Sequence, residues 1–177
     1  LGPDLDAAQL NRIAERVPVV EVGRFVEGAG IDVVRTDDDS GVAQVVDYLV
    51  GLGHQKILHV DGGRMPSAAG RRNGYETAMR KHGLAEQIRI IGGDYTEESG
   101  ALAAAEILAG SDLPTAVIAG NDRCALGLLD SLRQGGLKVP ADISVVGYDD
   151  SRLARLSFVD LTSVRQDIRQ MADLAVK

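Results

Sequence analysis

Apolar residues along this chain fall into short unbroken runs separated by stretches of helical period. VPVVEV (17–22) and IDVVR (31–35) read as strands. Val42, Val45, Val46 and Leu49 then follow the i, i+3, i+4, i+7 spacing of an amphipathic helix, with Ser40 or Asp39 as its cap. The GLGH turn ends that helix, where Gly51 or Gly53 supplies the left-handed residue. KILHV (56–60) is the next strand, and Tyr75, Ala78, Met79 and His82 mark one face of a helix closed by Gly83. IRII (88–91), a helix over Glu97–Ala109 and TAVIA (115–119) continue the alternation. Asp122 is placed to cap a helix carrying Ala125, Leu128, Leu129 and Leu132, which Gly135 and Gly136 end, with Pro140 beyond. ISVVG (143–147), LTSVR (161–165) and a helix over 167–176 complete the series. At the front, 5–16 reads as a helix, and LGPDLD reads as the loop leaving a strand that the chain does not carry. The expectation is therefore a piece of something longer.

Continuous apolar strands alternating with helices indicate parallel sheets covered on both faces. The fold class expected is α/β, doubly wound. At 177 residues and 45% apolar content the chain can bury a sizeable core. With no Trp, two Phe and four Tyr, that core must be aliphatic. A net charge of −7 argues against this segment gripping a phosphate backbone itself. A single cysteine, Cys124, excludes an internal disulfide framework and agrees with a reducing cytoplasm. No apolar run approaches the roughly 18 residues of a membrane span.

Catalytic signatures are scarce. GLGHQK follows a helix and precedes a strand, the reverse of a dinucleotide-binding loop. His54, His59 and His82 share no metal-ligand spacing. TDDDS (36–40) has carboxylates suited to Mg²⁺, though a strand end with helix caps accounts for it more simply. A metal-dependent enzyme using Asp37, Asp38 and Asp149 is thus a minor alternative; no catalytic residue, metal or cofactor is assigned. What remains is a polar set, Arg71, Tyr95, Asn121, Asp149 and Gln166, each at or just past the end of an expected strand. In a parallel sheet those ends share one edge. Their mixture of donors, acceptors and one aromatic face suits a small polyhydroxylated ligand. Asp149 follows the apolar run ISVVGY directly, an unfavourable strand residue at the position where α/β proteins bind ligands.

The ordered series PVVEVGR, VRTDDDSGVAQVVDYLVGLGHQKILHVDG, GRRNGYETAM, GDYTEESG, LPTAVIAGNDRCALGLLDSLRQGGLKVPADISVVGYDDS and LTSVRQD resembles the effector-binding core of the lactose/galactose-repressor (LacI/GalR) family of bacterial transcription regulators. The resemblance covers nearly all of 15–175, with GH-x-KI, ND-x-x-ALG and VP-x-DISVVGYDD as its most specific parts. It implies a fold like that of type I periplasmic sugar-binding proteins, with two α/β lobes. Residues 1–36 and 168–177 would belong to a partial lobe nearer DNA, and 37–167 to the distal lobe. It carries effector-binding roles to Arg71, Asn121, Asp149 and Gln166, with Tyr95 where an aromatic lines the pocket. Asp150 is expected to cap or support. Leu126 and Leu129 match positions near the family's dimer interface, with core packing as the plain alternative. The partners implied are a small-molecule effector such as a sugar, an operator DNA read by a helix-turn-helix outside this chain, and a second copy in a cytoplasmic homodimer, with no membrane. The competing reading is a periplasmic sugar-binding protein of a transporter, which shares fold and cleft. Two departures are notable: Asp38 stands where many members have Asn, and Arg71 is followed by a second arginine, Arg72.

Overall fold

A computed structural model describes residues 5–28 and 30–177. It separates into two compact units, one taking the chain up to Thr36 together with Asp167–Lys177, the other Asp37–Gln166.

In the smaller unit, β1 (Val19–Val22) and β2 (Ile31–Val34) pair in parallel, Val19 opposite Ile31. Helix α1 (Ala7–Ala14) packs on this pair, as does α6 (Ile168–Ala175). Asp6 caps α1 in a reciprocal box with Gln9, and Asp167 caps α6. Both helices are shorter than the apolar pattern predicts, and each begins just after an aspartate that accepts the N–H of the third helical residue, Gln9 in α1 and Gln170 in α6. The pattern over 5–16 also counts Leu5, ahead of the cap, and Glu15 and Arg16, whose N–H groups close the final turns onto Asn11 and Ile13.

The larger unit is built on a five-stranded parallel sheet in the order β4-β3-β5-β6-β7. Its strands are β3 (Ile57–Val60), β4 (Arg89–Ile91), β5 (Ala116–Ala119), β6 (Ser144–Asp149) and β7 (Thr162–Arg165). Successive residues point to opposite faces. Ile57, Ala116, Ile118, Val146 and Tyr148 therefore meet one pair of helices, α2 (Asp38–Gly51) and α3 (Ala68–Lys81). Leu58, Val60, Val117, Ala119 and Val145 meet the other pair, α4 (Glu97–Ala109) and α5 (Asp122–Gln134). A single-turn 3₁₀ helix, Ala85–Gln87, joins α3 to β4. The chain leaves β3 toward β4 on one side and returns to β5 on the other, so the winding reverses between β3 and β5. Crevices at such reversals, outside the carboxyl ends of the strands, are where open α/β sheets hold ligands.

Three sequence expectations shift. Asp37, not Ser40 or Asp39, caps α2, its carboxylate taking the Ser40 N–H at 3.1 Å. Asn121, not Asp122, caps α5, and Asp122 is the first helical residue. In TDDDS and GND several neighbours have capping side chains, and backbone conformation alone selects one. Finally, β6 extends two residues beyond ISVVG, so Tyr148 and Asp149 pair in register with Val164 and Arg165.

Candidate functional site

Arg71 organises the carboxyl edge of the larger sheet. It sits in the first turns of α3, whose Gly74 presses against α2; a Cβ there would stand 2.3 Å from the Asp39 carbonyl oxygen. That close approach buries Arg71 almost completely and sets its Nε 2.9 Å from Oδ1 of the equally buried Asp38. Nη1 donates to the Gly120 carbonyl just past β5. Nη2 is 3.9 Å from Asp149 Oδ1 at the end of β6. The guanidinium lies over two rings, 3.7 Å from the centroid of Tyr148 and 5.2 Å from that of Tyr95. Of the two adjacent arginines, only Arg71 points into this cluster; Arg72 turns to Asp61, its Nε 2.6 Å from Oδ2.

Tyr95 follows β4 with a left-handed backbone, φ +69°, and its ring lies across two glycines. A Cβ on Gly62 would meet the ring at 2.2 Å and one on Gly120 at 2.8 Å. Glycine is required at both for the ring to lie there. The Tyr95 hydroxyl is buried without a partner, and burial pushes its pKa up to about 12. Asp149 has φ +116°, a costly value for a non-glycine residue. Its Oδ1 accepts from Gln166 Nε2 at 2.6 Å. Burial raises the Asp149 pKa, against the lowering effects of the Gln166 bond and of Arg71. Asn121 adjoins Gly120 and uses Oδ1 to take the Cys124 N–H at 2.8 Å, so its Nδ2 is the group left to offer a ligand.

Arg71, Tyr95, Asp149 and Gln166 are thus linked by direct contacts, with Asn121 beside them on the backbone that Arg71 bonds. Three aspartates that sequence reasoning read as caps or left aside turn out to hold the arrangement. Asp38 fixes Arg71. Asp61 takes the Gly63 N–H at 2.7 Å as well as Arg72. Asp122, 1% exposed, accepts the Ser151 N–H at 2.7 Å and the Ser163 hydroxyl at 2.6 Å. It clamps the turn in which Asp149 and Asp150 both have positive φ. The signal available was the second residue of the ND motif, but burial is what separates a clamp from a cap. Asp150 supports the turn from outside: paired with Arg155 and Arg165, its pKa falls to about 2, and its N–H donates to Ser163 Oγ at 2.9 Å.

Leu129 is buried in the core of the larger unit, as plain packing predicts, and Leu126 is half-buried against that core. Of the two, only Leu126 presents surface. Among the described residues no group of three or more His, Cys, Asp or Glu is arranged to hold a metal ion. Asp37 and Asp38 are committed to a helix cap and to Arg71. No helix among the described residues is long and apolar enough to cross a membrane.

Residues 46–177 match the Periplasmic binding protein-like domain. The chain is 30% identical over 177 residues to the Probable HTH-type transcriptional repressor ExuR of Bacillus subtilis, covering 98% of this chain and 53% of that protein. It is 33% identical over 172 residues to the HTH-type transcriptional regulator GalS of Salmonella typhimurium, covering 96% and 51%. A crystal structure of a LacI transcriptional regulator from a Rhodococcus species superposes with a TM-score of 0.95 at 46% identity, over 99% of this chain and 65% of that one. The chain belongs to the periplasmic binding protein-like domain family, in the form carried by LacI/GalR regulators. It spans about half the length of the curated relatives it matches.

Proposed function

We propose that this chain is the effector-sensing part of a bacterial DNA-binding transcription regulator, and that its ligand is a small hydroxyl-rich molecule such as a sugar. The observation that carries the reading is the meeting of Arg71 and Asp149 at the sheet reversal, a strong donor and a strong acceptor 3.9 Å apart beside two aromatic rings. Hydroxyl groups donate and accept at once, so such a pair can grip one from both sides. Tyr95 faces the apolar C–H surface of a ring, and Asn121 and Gln166 supply further polar contacts.

The smaller unit corresponds to the lobe nearer DNA and the larger one to the distal lobe. DNA would be read by a helix-turn-helix outside the chain, in keeping with its net charge of −7. A homodimer in the cytoplasm places two such heads at half-sites about one helical turn apart. Leu126 on α5 is the residue we assign to that contact. The molecule acts as a binding switch, without catalysis: effector shifts the population of states that differ in DNA affinity.

A thermal-shift screen of sugars and nucleosides against protein expressed from the complete gene tests this reading. A stabilising compound should also change operator affinity in a gel-shift titration, and Asp149→Ala should remove both responses. A stabilising compound that leaves operator affinity untouched contradicts it.

A further inference from the structure

We infer that this site selects an uncharged, hydroxyl-bearing ligand over its phosphorylated or carboxylate counterparts, and that Asp38 sets the selection. The inference rests on the reading of the site given above and specifies its ligand class.

An arginine in a ligand site ordinarily invites an anion. Here its charge is already neutralised from behind. Arg71 Nε is bonded to Asp38, whose side chain is 3% exposed, and Nη1 is bonded to Gly120. Tyr148 and Tyr95 cover the guanidinium, so only Nη2 faces Asp149. The side-on bidentate grip on phosphate or carboxylate uses Nε together with one Nη, and Arg71 has lost that mode because Nε is held by Asp38, while Nη1 already carries the Gly120 carbonyl.

The other charges nearby do not restore a positive field. Asp149 adds a carboxylate at the point of contact, and the buried Asp122 lies behind the same turn. Arg72 and Asp61 cancel one another. His59, fully buried with Nδ1 on the Ile118 carbonyl, is neutral at pH 7. Arg155 and Arg165 share Asp150 and are 60% and 69% exposed, where salt screens them. At the core of the site one cation stands against three buried or half-buried carboxylates. An incoming anion would meet Asp149 within a few ångströms in a partly desolvated crevice, where like-charge repulsion outweighs one hydrogen bond. A hydroxyl meets no such barrier: it accepts from Nη2 and donates to Asp149.

The test is isothermal titration of protein from the complete gene with matched pairs: glucose, galactose, fructose and ribose, each against its phosphate, and glucose and galactose against their uronates. For every neutral sugar that binds, the charged partner is expected to bind at least tenfold more weakly. Asp38→Asn, which keeps an oxygen for Arg71 Nε but removes the neutralising charge, should narrow that ratio at least tenfold. The ratio is taken within one variant, so a general loss of fold does not imitate it. If Asp38→Asn fails to fold, the wild-type ratios still decide. A phosphate or uronate that binds as tightly as its parent sugar overturns the inference and leaves the sensor reading standing. A protein that none of these compounds engages overturns the inference, and the sensor reading then falls to the wider screen above.

Discussion

Asp149 shows how an unfavourable residue is kept in place. It is half-buried, at a backbone angle that costs energy, and its ionised form is penalised by burial. Because its pKa is raised in the folded state, the folded protein holds that proton more tightly than the unfolded chain. The associated stability is fully present below the ordinary carboxylate pKa and is lost as pH rises through the raised value. Asp149→Asn keeps the shape and the Gln166 contact, so it should raise the thermal midpoint at pH 7. The gain should shrink as the pH is lowered into the carboxylate range. A midpoint at pH 7 below that of the wild type would contradict this assignment. Tyr95, Asn121, Asp149 and Gln166 were legible because each stands close behind an apolar run, whereas Arg71, within α3, was picked out by the family resemblance. The residues behind them were not: Asp38 and Asp122 stand beside strand ends, where an aspartate reads as a cap. Only the tertiary approach of α3 to α2, and of Ser163 to α5, reveals them as buried anchors.

Helices α4 and α5 meet backbone to backbone. A Cβ at Gly100 would lie 2.0 Å from the Cys124 carbonyl oxygen, and one at Gly127 would lie 1.8 Å from that of Glu97. The contact fixes α5, and with it the Asn121 cap and the Asp122 clamp that carry the site. Gly127→Ala should therefore cost about 3 kcal/mol in denaturant unfolding, although alanine is the better helix former. A change within experimental error would show that the helices can separate freely. Element positions were largely legible, since continuous Val/Ile/Leu/Ala runs and the 3.6-residue period are strong signals. Helix starts were legible only in part: α4 begins at Glu97 as expected, whereas in TDDDS and GND the cap depends on which of several adjacent Asp, Asn or Ser residues leaves the helical backbone region.

The doubly wound fold followed from strand and helix alternation. The order β4-β3-β5-β6-β7 did not, since every parallel strand reads alike until its neighbours are known. That order locates the reversal between β3 and β5, and thus explains why the polar residues after β4, β5, β6 and β7 gather near Arg71. It also buries His59 in mid-sheet, its ring 5.4 Å from Tyr75 and its Nε2 without a partner. Burial lowers its pKa from 6.5 to about 4. The unfolded chain therefore takes up a proton first, and stability falls as pH drops from 6.5 toward 4. The loss attributable to His59 is about 3 kcal/mol at full burial. His59→Phe should flatten that part of the pH–stability profile; an unchanged slope would remove His59 as its cause.

If the chain is a sensor of this kind, Arg71 and Asp149 together hold one ligand. Isothermal titration of the stabilising compound into wild type, Asp149→Ala, Arg71→Lys and the double variant measures this directly. Each single change should cost at least tenfold in affinity, and the double variant should lose less than the two losses combined, as for groups gripping the same hydroxyl. Normal binding by Asp149→Ala, or fully additive losses, would contradict the claim.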